Sequence, residues 1–118
     1  MNNVILIGYL GSDAETRKTR NDSTLTTLSL ATQRTWKDRE TGERQSQTTW
    51  HRLVVFGRLA EYAATLITGA HLQVTGELNT RNYTAKDGSN KSITEIRVQR
   101  ISRLDRNQNG STKQEVAA

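Results

Sequence analysis

Several aromatic rings of this chain stand beside cations, in a pattern that core packing alone does not need. Trp50 and Phe56 lie in Thr49-Trp50-His51-Arg52-Leu53-Val54-Val55-Phe56, a run of β-branched and aromatic residues closed by Gly57. Such a run reads as a β-strand. Side chains alternate along a strand, so His51, Leu53 and Val55 share one face. Trp50, Arg52, Val54 and Phe56 share the other. A half-buried strand should show one apolar and one polar face. Here the second face carries large rings and a guanidinium. Bases offer a π-face to rings, and their phosphates offer a negative charge to cations.

The other aromatics extend the pattern. Trp36 flanks a polar segment and has Arg34 beside it. Tyr83 has Arg81 and Lys86 nearby. Tyr62 falls in a helical stretch and reads as core packing or an exposed position, and Tyr9 lies near the end of the first strand with no assigned role. Cations accompany the rings: Arg34, Arg52, Arg58, Arg81, Lys86, Lys91 and Arg97 could together track a phosphate backbone. Each alone is an ordinary solvated charge. Stacking contributes roughly 1–3 kcal/mol per base, so the set matters more than any member.

No catalytic constellation emerges. The carboxylates are scattered, and neither His51 nor His71 has a nucleophile partner. There are no cysteines, which removes disulfides and thiolate metal sites. No phosphate-binding glycine loop is present. The expectation is a binding protein without cofactor, metal or enzymatic activity.

Composition agrees. At 118 residues there is room for one domain. Hydrophobic residues make up 33%, below the usual ~45–50%, which implies a small core or polar extensions. The formal net charge of +5 favours polyanionic partners. No apolar run approaches the ~20 residues of a membrane span. Residues 1–10 lack signal-peptide character. The expected location is the cytosol.

The elements that must position these residues follow from the pattern. Residues 3–10 form a first strand with Gly8 at a bend or bulge. Residues 15–20 can extend it at an edge. Residues 24–36 form a long second strand whose apolar phase slips between Leu25 and Leu28, which predicts a bulge there. Leu28, Leu30, Arg34 and Trp36 share parity, so a regular strand puts Trp36 on the core side. It escapes only if the strand coils beyond the barrel or slips again near Thr32–Arg34. Residues 37–47 read as a polar hairpin loop, and 48–56 as the third strand. Arg58 to Ile67 has helical spacing, with Leu59, Ala63, Leu66 and Ile67 on one face. Residues 71–79 and 93–104 complete the strands. Between them 80–92 forms a second long hairpin with Asp87-Gly88 at its turn. Residues 1–104 form one domain, and 105–118 a polar, disordered tail. Three strands, a helix and two strands predict an all-β fold with one short helix. That fold is a five-stranded Greek-key OB barrel with long β-hairpin extensions.

These residues resemble a known family, the bacterial-type single-stranded DNA-binding proteins of replication, the SSB family. Asn3-Val4-Ile5-Leu6-Ile7-Gly8-Tyr9-Leu10-Gly11 looks like its opening strand, and Leu28-Ser29-Leu30-Ala31-Thr32 with Trp36 like its second. Thr49 to Glu61 is the most specific match, and Gly76-Glu77-Leu78 with Arg81-Asn82-Tyr83 is similar to the fourth strand and its hairpin. The resemblance runs over residues 1 to about 104. It implies an OB fold and a homotetramer that binds single-stranded DNA without sequence preference in replication, recombination and repair. The implied stacking set is Trp36, Trp50, Phe56 and Tyr83, where Tyr83 stands at a position often held by Trp. His51 is implied to lie near a subunit interface. Ala14 replaces a common proline. The chain ends Gln114-Glu115-Val116-Ala117-Ala118, without the family's acidic, Phe-ending tip. If the chain ends there natively, that pattern leaves no tail-mediated recruitment of other proteins to expect. Two other readings remain beside this one. Stacking surfaces do not separate single-stranded RNA from DNA. An OB module that chiefly assembles with proteins would lack the strand-three and hairpin rings, which are present here.

Overall fold

The computed structural model describes residues 1–105 and 115–117. Its elements are β1 (Val4–Leu10), β2 (Glu15–Lys18), β3 (Thr24–Lys37), β4 (Arg44–Phe56), α1 (Arg58–Ala63), β5 (His71–Thr84), β6 (Asn90–Arg103) and β7 (Glu115–Ala117). Five strands run in the order β1-β5-β6-β4-β3, and the ring closes where Tyr9 and Leu10 of β1 meet Ala31 and Leu30 of β3. Only the β4–β6 seam of this ring is parallel, at Leu53↔Ile96 and Val54↔Arg97. The architecture is the expected OB barrel with one short helix among the described residues.

Alternation builds the interior. Leu28 and Leu30 of β3 face Leu53 and Val55 of β4 and, across the barrel, Leu72, Val74, Ile96, Val98 and Ile101. Leu59, Ala60 and Ala63 of α1 join this cluster, and α1 packs on β3 and β4. Burying each of the Leu, Ile and Val side chains contributes about 1.5–3 kcal/mol.

The strands run further than the sequence pattern implies. β3 and β4 pair without a break from Leu25↔Phe56 to Lys37↔Arg44, and β5 and β6 pair out to Thr84↔Asn90. The connections shrink to residues 38–43 and 85–89. Polar residues can continue a ladder where both faces meet water, so polarity alone did not mark the ends. The first turn closes through Asp38 N–H to Glu43 O and the second through Ala85 N–H to Ser89 O, both at 2.8 Å.

The bulge lies elsewhere than between Leu25 and Leu28. Pairing there is regular with both β2 and β4. The apolar phase slips because Thr26 occupies a core position, fully buried, with its hydroxyl donating to Ala60 O at 2.7 Å. Leu25 then belongs to the outer face, where it lines a cleft with Phe56. The register shift falls instead between Thr75 and Gly76, opposite Val98 and Arg100, and leaves Gln99 unpaired. It explains why Ile96, Val98 and Ile101 can all face inward despite their mixed parity.

Three further expectations change. The helix has six residues, 58–63, and not ten. The Thr65 N–H and hydroxyl both donate to Tyr62 O, at 3.0 and 2.7 Å, and tighten the chain out of α-geometry. Leu66 stays buried while Ile67 turns outward, 61% exposed. Gly8 is neither bend nor bulge, since β1 pairs β5 regularly through Gly8↔Leu72. Its role is close approach, because a methyl built there would collide with Ala31 O of β3. Of the tail expected over 105–118, residues 106–114 and 118 lie outside the described residues. Glu115–Ala117 form β7, antiparallel to β6.

Barrel closure at Gly8 is open to a direct check. Gly8→Ala should lower stability by about 1–3 kcal/mol, the usual cost of overpacking, because β1 must move off β3. Urea unfolding of the two proteins measures the difference.

Candidate nucleic-acid interface

The β3–β4 register decides where each ring points. Leu25↔Phe56, Ser29↔Arg52 and Ala31↔Trp50 place Trp50, Arg52 and Phe56 on the outer face. The parallel pair Val54↔Arg97 puts Arg97 on that same face, and Glu77↔Arg97 carries it across to β5. Asn79↔Glu95, Arg81↔Ile93 and Tyr83↔Lys91 continue it. One sheet face spanning β4, β6 and β5 therefore gathers Trp50, Arg52, Phe56, Arg81, Tyr83, Lys91 and Arg97. A cleft of about 240 Å³ opens on it, lined by Arg52, Phe56, Arg81 and Arg97 among others.

The rings on this face are available. Trp50 is 60% exposed, Phe56 41% and Tyr83 43%, while the aliphatic core is nearly closed to solvent. The Arg97 guanidinium stands over the Phe56 ring at 4.8 Å. That contact fixes the cation against one face of a ring that is still partly exposed. Trp50 lies against Gly11, where any Cβ would enter the indole.

Trp36 is placed differently. Pairing is continuous through Trp36↔Gln45, so no second irregularity turns the residue over. It keeps the parity of Leu28 and Leu30, but β3 has already left the barrel and no core lies beneath it. The ring is 43% exposed, with the Arg34 guanidinium at 5.7 Å. Arg34 and Trp36 thus form a second patch, on the face of the β3–β4 ribbon opposite Trp50. Lys86 sits in the β5–β6 turn, and Arg58 opens α1 off the sheet.

His51 faces inward beside Leu53, as its parity requires. It is half-buried, and its Nε2 lies 2.8 Å from the Thr32 hydroxyl. Desolvation holds its pKa below the ordinary value of 6.5.

Two features escaped the sequence reading. Glu95 is 5% exposed at the middle of the ring-bearing face, and its carboxylate accepts from Arg52 Nε at 3.1 Å and Arg81 Nε at 3.0 Å. An isolated Glu in a polar strand carries no signal of burial. The second feature did leave a signal. β1 is apolar at both parities: Val4, Leu6 and Leu10 pack toward the core, while Ile5, Ile7 and Tyr9 are more than half exposed. Tyr9 stacks on His71, with centroids 4.3 Å apart and planes at 10°. A strand apolar on both faces is one expected to be covered on both.

Comparison with known proteins gives a consistent picture. Residues 1–104 match the model of the single-strand binding protein family. Among solved structures, the chain is similar to a Plasmodium falciparum SSB in complex with ssDNA, with 28% identity and a TM-score of 0.77. The match covers 100% of this chain and 95% of that one.

The environment of His51 yields a pH dependence. A histidine whose folded pKa is depressed stays neutral while the unfolded chain takes up a proton. Its contribution to stability is present above pH 6.5 and is lost as pH falls through the folded pKa. His51→Gln should flatten this part of the profile, measured as the urea midpoint between about pH 7.5 and 5.

Proposed function

The chain belongs to the single-strand binding protein family, and from that premise we propose that it coats single-stranded DNA without sequence preference, as replication, recombination and repair require. The observation that carries this reading is the outer sheet face, where open rings alternate with guanidinium groups from three neighbouring strands. Trp50, Phe56 and Tyr83 take bases by stacking there, and Trp36 does so on the hairpin ribbon. Arg34, Arg52, Arg58, Arg81, Lys86, Lys91 and Arg97 hold phosphates. Every base has a π-face and every nucleotide a phosphate, so such a surface is indifferent to sequence. The activity is binding, with no bond made or broken.

Magnitudes indicate why both kinds of contact are needed. Four stacked bases give about 4–12 kcal/mol gross. Association costs on the order of 4–15 kcal/mol in lost freedom. Stacking alone therefore leaves little surplus, and phosphate contacts or further protomers must supply the rest. We take the assembly to be a homotetramer. Its support is β1, where Ile5, Ile7 and Tyr9 lie open and pairing with β3 is confined to Tyr9 and Leu10. Val4–Ile7 then offer a strand edge to a second copy, and His51 lies at a further subunit contact. An edge of this kind, unless covered, invites uncontrolled association.

Titration with poly(dT) tests the DNA reading. Tryptophan fluorescence should be quenched, and log K should fall with log salt at about −0.7 per phosphate engaged. Trp50→Ala with Phe56→Ala should weaken binding by about 2–6 kcal/mol, two stacked bases' worth. Normal binding by that double variant would sink this reading of the sheet face. Assembly is tested separately: Ile7→Asp should lower the mass measured by light scattering.

A further inference from the structure

Glu95 is a negative charge buried under a surface assigned to phosphates. It is the only charged residue among the buried ones described. As a bare charge it would oppose the ligand, and as an unpaired one it would destabilise the fold. Its geometry indicates another role. β6 lies between β4 and β5 in the sheet, and Glu95 on β6 reaches one arginine from each side. Oε2 accepts from Arg52 Nε on β4 at 3.1 Å, and Oε1 accepts from Arg81 Nε on β5 at 3.0 Å. Both carboxylate oxygens are thereby engaged, one per guanidinium.

An Nε contact fixes the roll of a planar guanidinium but uses one of its five N–H donors. The two arginine side chains stay 40% and 47% exposed, against 5% for Glu95, so their other donors remain accessible. Two cations and one anion leave the triad with a net positive charge. An untethered arginine loses rotamer freedom when it meets a phosphate, whereas a tethered one has lost it on folding.

We infer that Glu95 is a positioning residue, which clamps Arg52 and Arg81 into one rigid, two-pronged receptor for neighbouring phosphates of single-stranded DNA. This rests on the DNA-binding reading above and adds to it the group that orients the cations. The Arg97–Phe56 pair lies on the same face, so a nucleotide stacked on Phe56 has this receptor within the same cleft.

Positioning and plain repulsion predict opposite results. Glu95→Gln removes a negative charge, so repulsion alone would make DNA bind more tightly. A glutamine has one carbonyl oxygen and can hold one guanidinium, while its NH2 opposes the other. Positioning therefore predicts poly(dT) binding about fivefold to tenfold weaker, with a salt slope shallower by about one. Glu95→Asp keeps the charge but shortens the arm, and should also bind more weakly. Charge alone predicts no change for that variant, so it decides the matter even if Glu95→Gln folds poorly. Arg81→Ala and the Glu95→Gln, Arg81→Ala pair complete a double-mutant cycle. The two losses should be strongly non-additive. Equal or tighter binding by the Glu95 variants, or additive losses, overturns the positioning role while leaving DNA binding intact. Failure of the unaltered protein to bind poly(dT) overturns both.

Discussion

The two-residue alternation of the β3–β4 ribbon is the constraint on which the rest of this molecule depends. Thirteen residues of each strand pair in sequence, Leu25–Lys37 against Arg44–Phe56, without a slip. A shift of one residue would exchange the two faces along the whole ribbon. Leu53 and Val55 would then leave the core, and Trp50 and Phe56 would enter it. The buried aliphatic face holds the register, and the register holds the rings outside. Stability and binding surface are thus consequences of one pairing, read from its two sides.

This arrangement resolves the low apolar content. The core is a compact set of Leu, Val, Ile and Ala side chains enclosed by the barrel and α1. Four of the six aromatic residues, Trp36, Trp50, Phe56 and Tyr83, contribute to the face or the ribbon. The ribbons also explain the size. A radius of gyration of 16.5 Å exceeds the roughly 13–14 Å of a compact domain of this length. Polar hairpin arms carry surface outward from a barrel that is itself small.

Most of the barrel was legible because its apolar runs are separated by polar turns, and strand 48–56 announced both faces by residue type. The failures share a cause: local pattern does not report what lies opposite. Thr26 looked like a break in an apolar phase because its hydroxyl partner, Ala60 O, is 34 residues away. The true bulge near Gln99 hid in a strand that remained plausible with either phase. Trp36 had core parity, and only the length of β3 beyond the barrel shows that no core is there. Glu95 gave no sign at all, since its significance comes from arginines on two other strands. Where both partners sit in one segment, as with Arg34 and Trp36, the sequence was enough.

The opposed placement of the rings bears on how a nucleic-acid strand would run. Trp50, Phe56 and Tyr83 lie on the continuous outer face, and Trp36 on the other side of the same ribbon. A strand following the β4–β6–β5 face can meet the first three in one path. To reach Trp36 of the same protomer it must pass around the ribbon. In an assembly, Trp36 would instead be placed to meet a strand held by another copy. Single-stranded DNA is flexible enough for the first route, and an assembly would favour the second. The ribbon carries cations on both sides, Arg34 on one and Lys37 with Arg44 on the other. A flat groove would bind one segment of a strand. On the proposed reading, one strand that met all four rings of a single protomer would have to turn around the ribbon, so the same alternation that built the core would set that turn.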